Sequence, residues 1–78
     1  MTGKLDANTP WVRAALPAED KAAVAAMVPD GHRLLIGARR PGLFNLVLYR
    51  DGAEVARTVA SGEPIPSLVS RFLGRVAA

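Results

Sequence analysis

The sequence of 78 residues contains no cysteine and a single histidine, His32. Without thiols, neither a disulfide framework nor a thiolate metal centre can form. The remaining metal ligands would be carboxylates and one imidazole, and these do not cluster along the chain. The sequence therefore predicts no bound metal and no other cofactor.

Groups suited to catalysis are equally scarce. A nucleophilic mechanism needs a base and an orienting group within hydrogen-bond reach of the nucleophile. His32 follows the turn segment 29–31, and no serine or threonine motif accompanies it. Glu19 and Asp20 are adjacent, so their carboxylates would diverge on a helix. We therefore expect that this protein is not an enzyme.

Long apolar runs are missing too. No segment approaches the ~18 apolar residues of a membrane-spanning helix, and residues 1–9 lack the apolar core of a signal peptide. These absences predict a cytoplasmic protein without membrane contact. The polar start of the chain predicts a flexible leader over residues 1–8, and the short length predicts a single domain over residues 9–78.

Negative charge is sparse in the second half of the chain. The formal net charge is +3 overall, from ten basic and seven acidic residues. Residues 1–31 contain three bases and four acids, a net charge of −1, whereas residues 32–78 contain seven arginines and three acids, a net charge of +4. This distribution favours contact with phosphates or with an acidic protein surface through the second half.

Two apolar patterns with helical spacing lie on either side of the middle of the chain. Thr9 and Pro10 mark a helix start, and an alanine-rich pattern runs on to Val28, interrupted by Pro17. The sequence leaves open whether this region is one kinked helix or two. We expect Trp11 to pack in the core. The last helix is predicted over residues 63–78, from apolar residues at three- and four-residue spacing: Ile65, Leu68, Val69, Phe72 and Val76.

The segment from residue 32 to residue 62 contains three runs of alternating apolar residues, which are typical of strands. Two turn signals separate the runs, Arg40-Pro41-Gly42 and Asp51-Gly52. Together with the flanking helices, this pattern predicts an α+β fold with the order α-β-β-β-α. Its sheet would be a three-stranded antiparallel meander, with strand order 1-2-3 and the helices packed on one face.

Side-chain alternation specifies how these strands pair. A two-residue loop at Asp51-Gly52 would place Val55 opposite Leu48. The same register would bring Arg57 to the core face, where its stem could lie on apolar surface at a sheet edge or its guanidinium could bind a carboxylate. The face expected to point into the core comprises Phe44, Leu46 and Leu48. A three-residue loop at Arg40-Pro41-Gly42 would pair the first two strands at three core positions: Leu34 with Leu48, Ile36 with Leu46 and Ala38 with Phe44.

The opposite face of this sheet is the predicted binding surface. Arginine and tyrosine side chains combine apolar area with directed hydrogen bonds, and they are enriched among the energetically dominant residues of protein interfaces. On the predicted register, three such residues lie on that face and two stand at its turns. The candidate partner-binding residues are Arg33, Arg39, Arg40, Tyr49 and Arg50.

A small chain without cysteines or catalytic groups predicts an interaction module that binds and modulates a protein or nucleoprotein partner. Such chains are typical of bacteriophage and mobile-element proteins that block a host machine, including anti-CRISPR proteins. The alternative is a basic domain that binds nucleic acid through the arginine-rich face. A homodimer is also left open, because so small a core provides little stability.

The element order is shared with double-stranded RNA-binding domains, which present basic residues at the start of their last helix. Residues 63–67 occupy that position in this chain and contain no base. The sequence is therefore not assigned to that family.

Overall fold

The computed structural model describes residues 3–7 and 9–77 of the chain. Three helices and four strands are present in these two ranges. The helices are α1 (Pro10–Ala15), α2 (Ala18–Met27) and α3 (Ile65–Ala77). The strands are β1 (Lys4–Asp6), β2 (His32–Arg40), β3 (Leu43–Arg50) and β4 (Ala53–Ser61).

One mixed sheet contains all four of these strands, in the order β1-β2-β3-β4. The three strands β2, β3 and β4 form the antiparallel meander expected from the sequence, whereas β1 pairs with β2 in the parallel direction. The α+β class is therefore confirmed, and the predicted three-stranded sheet is corrected to four strands.

The interpretation of residues 1–8 as a flexible leader is wrong for residues 4–6, which form β1. Leu5 lies beside Leu34 of β2 and packs against the core, while its two neighbours are polar. A three-residue strand with one apolar side chain carries too weak an alternation to be recognised in a sequence. Positions 1, 2, 8 and 78 lie outside the described residues.

Pro17 divides the N-terminal helical region into two helices, which settles the alternative that the sequence leaves open. The helix α1 begins after Thr9, whose carbonyl accepts the N–H of Arg13 at 2.9 Å, with Pro10 at the first helical position. The helix α2 follows Pro17, whose carbonyl accepts the N–H of Lys21 at 2.8 Å. A proline has no N–H to donate, so it cannot continue α1 through this point.

The core lies between the helices and one face of the sheet. The sheet side comes from β2 and β3, and each helix contributes buried residues. The sheet contributes Leu34, Ile36, Phe44, Leu46 and Leu48, and the helices contribute Val12, Val24, Ile65, Leu68, Val69 and Phe72. All three helices therefore cover the same face of the sheet.

Trp11 does not belong to this core, contrary to the expectation, because its side chain is 45% exposed. Adjacent residues of a helix point about 100° apart, so α1 can direct only one of two neighbours at the sheet. Val12 takes the inward position and is fully buried. The orientation of α1 against the sheet therefore leaves the indole at the surface.

The register of β2 against β3 is as predicted at all three core positions. The turn itself differs, because Arg40 pairs with Leu43. The loop therefore has two residues, Pro41 and Gly42, and Gly42 adopts a φ of +82° that a glycine reaches without strain. Arg39 forms a bulge in β2. This extra residue compensates for the loop being one residue shorter than predicted, so the side chains of β2 that precede it keep their predicted faces.

The second hairpin confirms the predicted two-residue loop but corrects the register beyond it. Asp51 and Gly52 both have positive φ, at 52° and 80°, as in the turns that match the twist of a hairpin. Val55 then forms a bulge in β4, because Leu48 pairs with Ala56 instead of Val55. The rest of β4 is displaced by one residue from the predicted register.

The bulge also moves Arg57 off the core face, so the expectation that this residue faces the core is wrong. A regular ladder would have placed Arg57 beside Leu46. With the extra residue, Arg57 lies opposite Val47 on the other face, and its guanidinium binds Glu54. Burying an unpaired guanidinium is more unfavourable than losing one regular pairing, so the bulged register is preferred.

Candidate functional site

The sheet face opposite the core is not covered by any helix in the described part of the chain, and we call it the open face. Alternate side chains of all four strands lie on it. Its centre combines the apolar side chains of Leu35 and Val47 with the amide of Asn45. Charged side chains of both signs surround this centre. The open face includes Lys4, Asp6, Arg33, Leu35, Arg39, Arg40, Asn45, Val47, Tyr49, Glu54, Arg57 and Val59.

A shallow depression of about 210 Å³ lies on the open face. Gly37 forms part of its floor, since it pairs with Asn45 and has no side chain to fill the space above the backbone. Val47 is only 5% exposed although no helix covers it, because Leu35 and Arg57 flank it on the neighbouring strands. The centre of the open face is therefore a concave surface of mixed polar and apolar character, in which Leu35 and Val59 can contact an apolar side chain of a partner.

Arg33 and Tyr49 form a defined side-chain contact on the open face. They are register neighbours on β2 and β3, and the guanidinium carbon lies 4.9 Å from the centroid of the ring. This distance is within the range of a cation–π interaction. The arginine therefore covers one side of the ring on which an incoming base or aromatic side chain would otherwise stack.

Arg57 carries a charge that the protein already balances. Its Nη2 and Nε both donate to Oε1 of Glu54, at 2.6 and 3.1 Å. The hydrogen bond and the negative charge of Glu54 stabilise the guanidinium cation and raise the pKa of Arg57. Both side chains are exposed, so the pair adds little to stability. It does reduce the charge that Arg57 offers to a partner.

Arg33 and Arg39 are cations of the open face without a carboxylate partner among the described residues. They are six positions apart on β2, which corresponds to about 20 Å along an extended strand. The two cations therefore stand at opposite ends of the centre of the open face.

The five predicted site residues do not form one cluster. Arg33, Arg39 and Tyr49 lie on the open face. Arg40 pairs with Leu43, which shares that face, so Arg40 stands at its end beside the turn. Arg50 pairs with His32 at the other end of the sheet. Strand alternation directs Arg50 to the same side as Leu48, which is the helix side.

The sequence interpretation missed Arg57 and Val59 as members of the open face. The bulge at Val55 moves both of them from the core side of the predicted register. The sequence contains one indication of this bulge. An arginine that a regular register would place in the core indicates an extra residue in its strand. Val59 is 47% exposed and gives the outer strand an apolar side chain within reach of a partner.

Other chemistry is sparse in the ranges that the structure describes. No group of three or more histidine, cysteine, aspartate or glutamate side chains is placed there to hold a metal ion. The Nδ1 of His32 lies 2.8 Å from the carbonyl oxygen of Asp30, to which a ring N–H at this position can donate. His32 thus has a local role in the turn before β2. No helix of the described residues is both long and apolar enough to cross a membrane.

Comparison with known proteins adds no assignment to this geometry. No family model, no curated protein and no solved structure matches the chain. The candidate site therefore depends on the residues and contacts of the open face alone.

Proposed function

We propose that this protein is a non-catalytic interaction module whose open face binds an acidic protein surface. The observation that carries the proposal is an uncovered centre that exposes the apolar side chains of Leu35 and Val59 between two cations, which have no carboxylate partner in the described residues. Protein interfaces have this composition, with a desolvated apolar centre and a polar, charged rim. In this proposal, Arg33 and Arg39 contact carboxylates of the partner, and Leu35 and Val59 contact its apolar side chains.

A protein partner suits the open face better than a nucleic acid does. Binding of single-stranded nucleic acid combines a cationic groove with aromatic side chains on which bases stack. Tyr49 is the aromatic residue of the open face, and Arg33 covers one side of its ring. Glu54 also neutralises the charge of Arg57, which is therefore not available to bind phosphate. The alternative of a basic nucleic-acid-binding domain therefore has neither an open stacking platform nor a continuous cationic track in its favour.

The role that suits such a module is to occupy a surface of a larger machine. A domain of this size without catalytic groups acts by binding alone. We include in this proposal the sequence-based interpretation of a phage or mobile-element inhibitor, of which anti-CRISPR proteins are one kind. Its support is the small size of the chain and the four-stranded sheet that presents the open face.

Affinity capture with two charge-matched variants tests the proposal. Arg33→Glu combined with Arg39→Glu reverses the unpaired cations of the open face. Arg13→Glu combined with Arg50→Glu makes the same change in net charge away from that face. From a lysate of the source organism, we expect the wild type and the second variant to capture the same protein, and the first variant to lose it. Nuclease treatment should leave the capture unchanged.

The outcomes of this experiment separate the alternatives. All four arginines are exposed, so both double variants should melt within a few degrees of the wild type. Equal capture by the two variants would remove the open face as the binding surface. Loss of capture after nuclease treatment would favour the nucleic-acid alternative, in which binding to naked DNA or RNA weakens steeply with salt.

A further inference from the structure

The outer edge of β4 is a second surface available for binding. The strand order leaves β1 and β4 at the edges of the sheet, and β4 has nine residues against three in β1. An edge strand exposes backbone N–H and C=O groups on alternate residues, and proteins commonly protect such edges with lysine, proline or bulges. The strand β4 contains neither lysine nor proline, and its bulge at Val55 lies close to the turn.

Residues 56–61 therefore form a regular edge that another strand can extend. Val55 and Val59 are 49% and 47% exposed, so apolar side chains accompany the backbone groups of this edge. When a strand is added at such an edge, main-chain hydrogen bonds supply affinity and pockets for alternate side chains supply specificity.

A groove of about 260 Å³ lies between this edge and α3, on the helix side of the sheet. We call it the edge groove, and its lining includes Thr58, Ala60, Leu68, Arg71, Phe72 and Arg75. The side chains that β4 contributes are small, so they leave space beside α3. An added strand would direct every second side chain into this space.

Among the residues that the structure describes, two arginines and one glutamate line the edge groove, which leaves one cation in excess. Arg71 binds Glu63, with 2.9 Å between Nη2 and Oε1. Arg75 follows one helical turn later and has no carboxylate partner in the described part of the chain. The groove therefore presents an unbalanced cation next to the strand edge, and a carboxylate on an added strand would complement it.

We propose that an extended acidic segment of a partner protein adds to β4 as a fifth strand of the sheet. Its backbone pairs with β4, every second side chain enters the edge groove, and one of its carboxylates binds Arg75. The edge groove lies on the helix side of the sheet, away from the open face. The proposal therefore does not depend on the function proposed for the open face.

The charge of the edge groove favours such a partner over a second copy of this chain. A two-fold pairing of β4 with β4 would bring two edge grooves side by side. Each copy would then bring an unbalanced Arg75 to the same seam and, from the described residues of the groove, no free carboxylate to complement it, which is unfavourable. An acidic segment avoids this arrangement and neutralises Arg75.

Selection from a displayed library of random nine-residue peptides tests the chemistry of the occupant. We expect peptides that bind the wild type to be enriched in aspartate, glutamate and β-branched residues and depleted in internal proline. The selection is repeated in a chain that carries Arg33→Glu and Arg39→Glu, so that the open face does not select acidic peptides. In that background, Arg75→Glu should lose the acidic enrichment, whereas Arg13→Glu, at an exposed arginine of α1, should keep it. Binders without acidic enrichment, or an enrichment that survives Arg75→Glu in that background, would overturn the proposal.

Amide hydrogen exchange locates the bound peptide. A synthetic peptide of the most enriched sequence should slow exchange at alternate residues of β4, by about tenfold at ten times its Kd. The same peptide with proline at its centre should bind about tenfold more weakly, because proline removes a hydrogen bond from the ladder. Protection confined to other strands, or equal binding of the proline peptide, would overturn the proposal.

Sedimentation equilibrium of the protein without peptide tests whether a second copy of this chain, instead of an acidic segment, occupies the edge of β4. The proposal requires a monomer in which exchange of the β4 amides does not depend on protein concentration. A dimer whose β4 amides become protected as the concentration rises would show that a second copy occupies the edge. The acidic segment would then be the wrong occupant.

Discussion

Deletion of Val55 should leave the fold of this protein intact, because Val55 is the extra residue of the β4 bulge. After the deletion, Ala56 follows Glu54 directly, and both keep their present partners on β3 in a now regular ladder. Arg57 therefore stays opposite Val47 on the open face. The same reasoning predicts that the binding surface survives the deletion.

The expected change in the free energy of unfolding is small. Val55 is 49% exposed, so its removal forfeits about half of the burial energy of a valine, or roughly 1 kcal/mol. A regular pairing in place of the bulge restores up to one backbone hydrogen bond, with a net contribution of about 1 kcal/mol. The two contributions oppose each other, so the deletion variant should lie within about 1 kcal/mol of the wild type.

Deletion of Val47 from β3 is the matched control. It removes the same residue type from the neighbouring strand, but it interrupts the alternation on which the core face depends. Leu48, which is 1% exposed, then turns away from the core, at a cost of about 2–5 kcal/mol as for truncation of a buried leucine. That loss is a large part of the roughly 4–12 kcal/mol expected for a chain of 78 residues.

Urea denaturation followed by far-ultraviolet circular dichroism measures both deletions. The deletion of Val55 should keep a cooperative transition close to that of the wild type, and the deletion of Val47 should lose most of its stability. If both deletions unfold the protein, or if both are equally mild, Val55 is not the extra residue of β4. The argument that places Arg57 on the open face would then fail.

Two further pairs of substitutions test single elements by the same denaturation measurement. Leu5→Asp should lower the free energy of unfolding by about 1–3 kcal/mol, because it places a charge beside the core, while Lys4→Asp at an exposed position should change it by less than about 0.5 kcal/mol. Equal effects would contradict the assignment of β1. Gly52→Ala should be destabilising by about 1–2 kcal/mol at a φ of +80°. Gly74→Ala in α3, where no atom lies within 4 Å of the new methyl group, should be stabilising by about 0.5–1 kcal/mol, and the opposite signs would refute the turn and helix assignments.

The candidate site was only partly predictable from the residues. Arg33 and Tyr49 were expected on one face, and they do meet there, because the register of β2 against β3 follows from apolar alternation in both strands. Arg50 was expected at the second turn and stands there, but strand alternation directs its side chain to the helix side of the sheet. Arg57 and Val59 were not predicted on the open face, because their position depends on a bulge that no turn residue in the sequence indicates.

Periodicity within single segments was sufficient to predict the helix α3, the two antiparallel hairpins and the face of the sheet that is buried. Packing between segments decided the rest. The short strand β1 forms because β2 has a free edge and a place for Leu5 against the core, and the orientation of α1 against the sheet turns Val12 inward and leaves Trp11 at the surface. The open face has the same origin: once helices cover one side of the sheet, a guanidinium is unfavourable there, and β4 accommodates an extra residue that turns Arg57 outward.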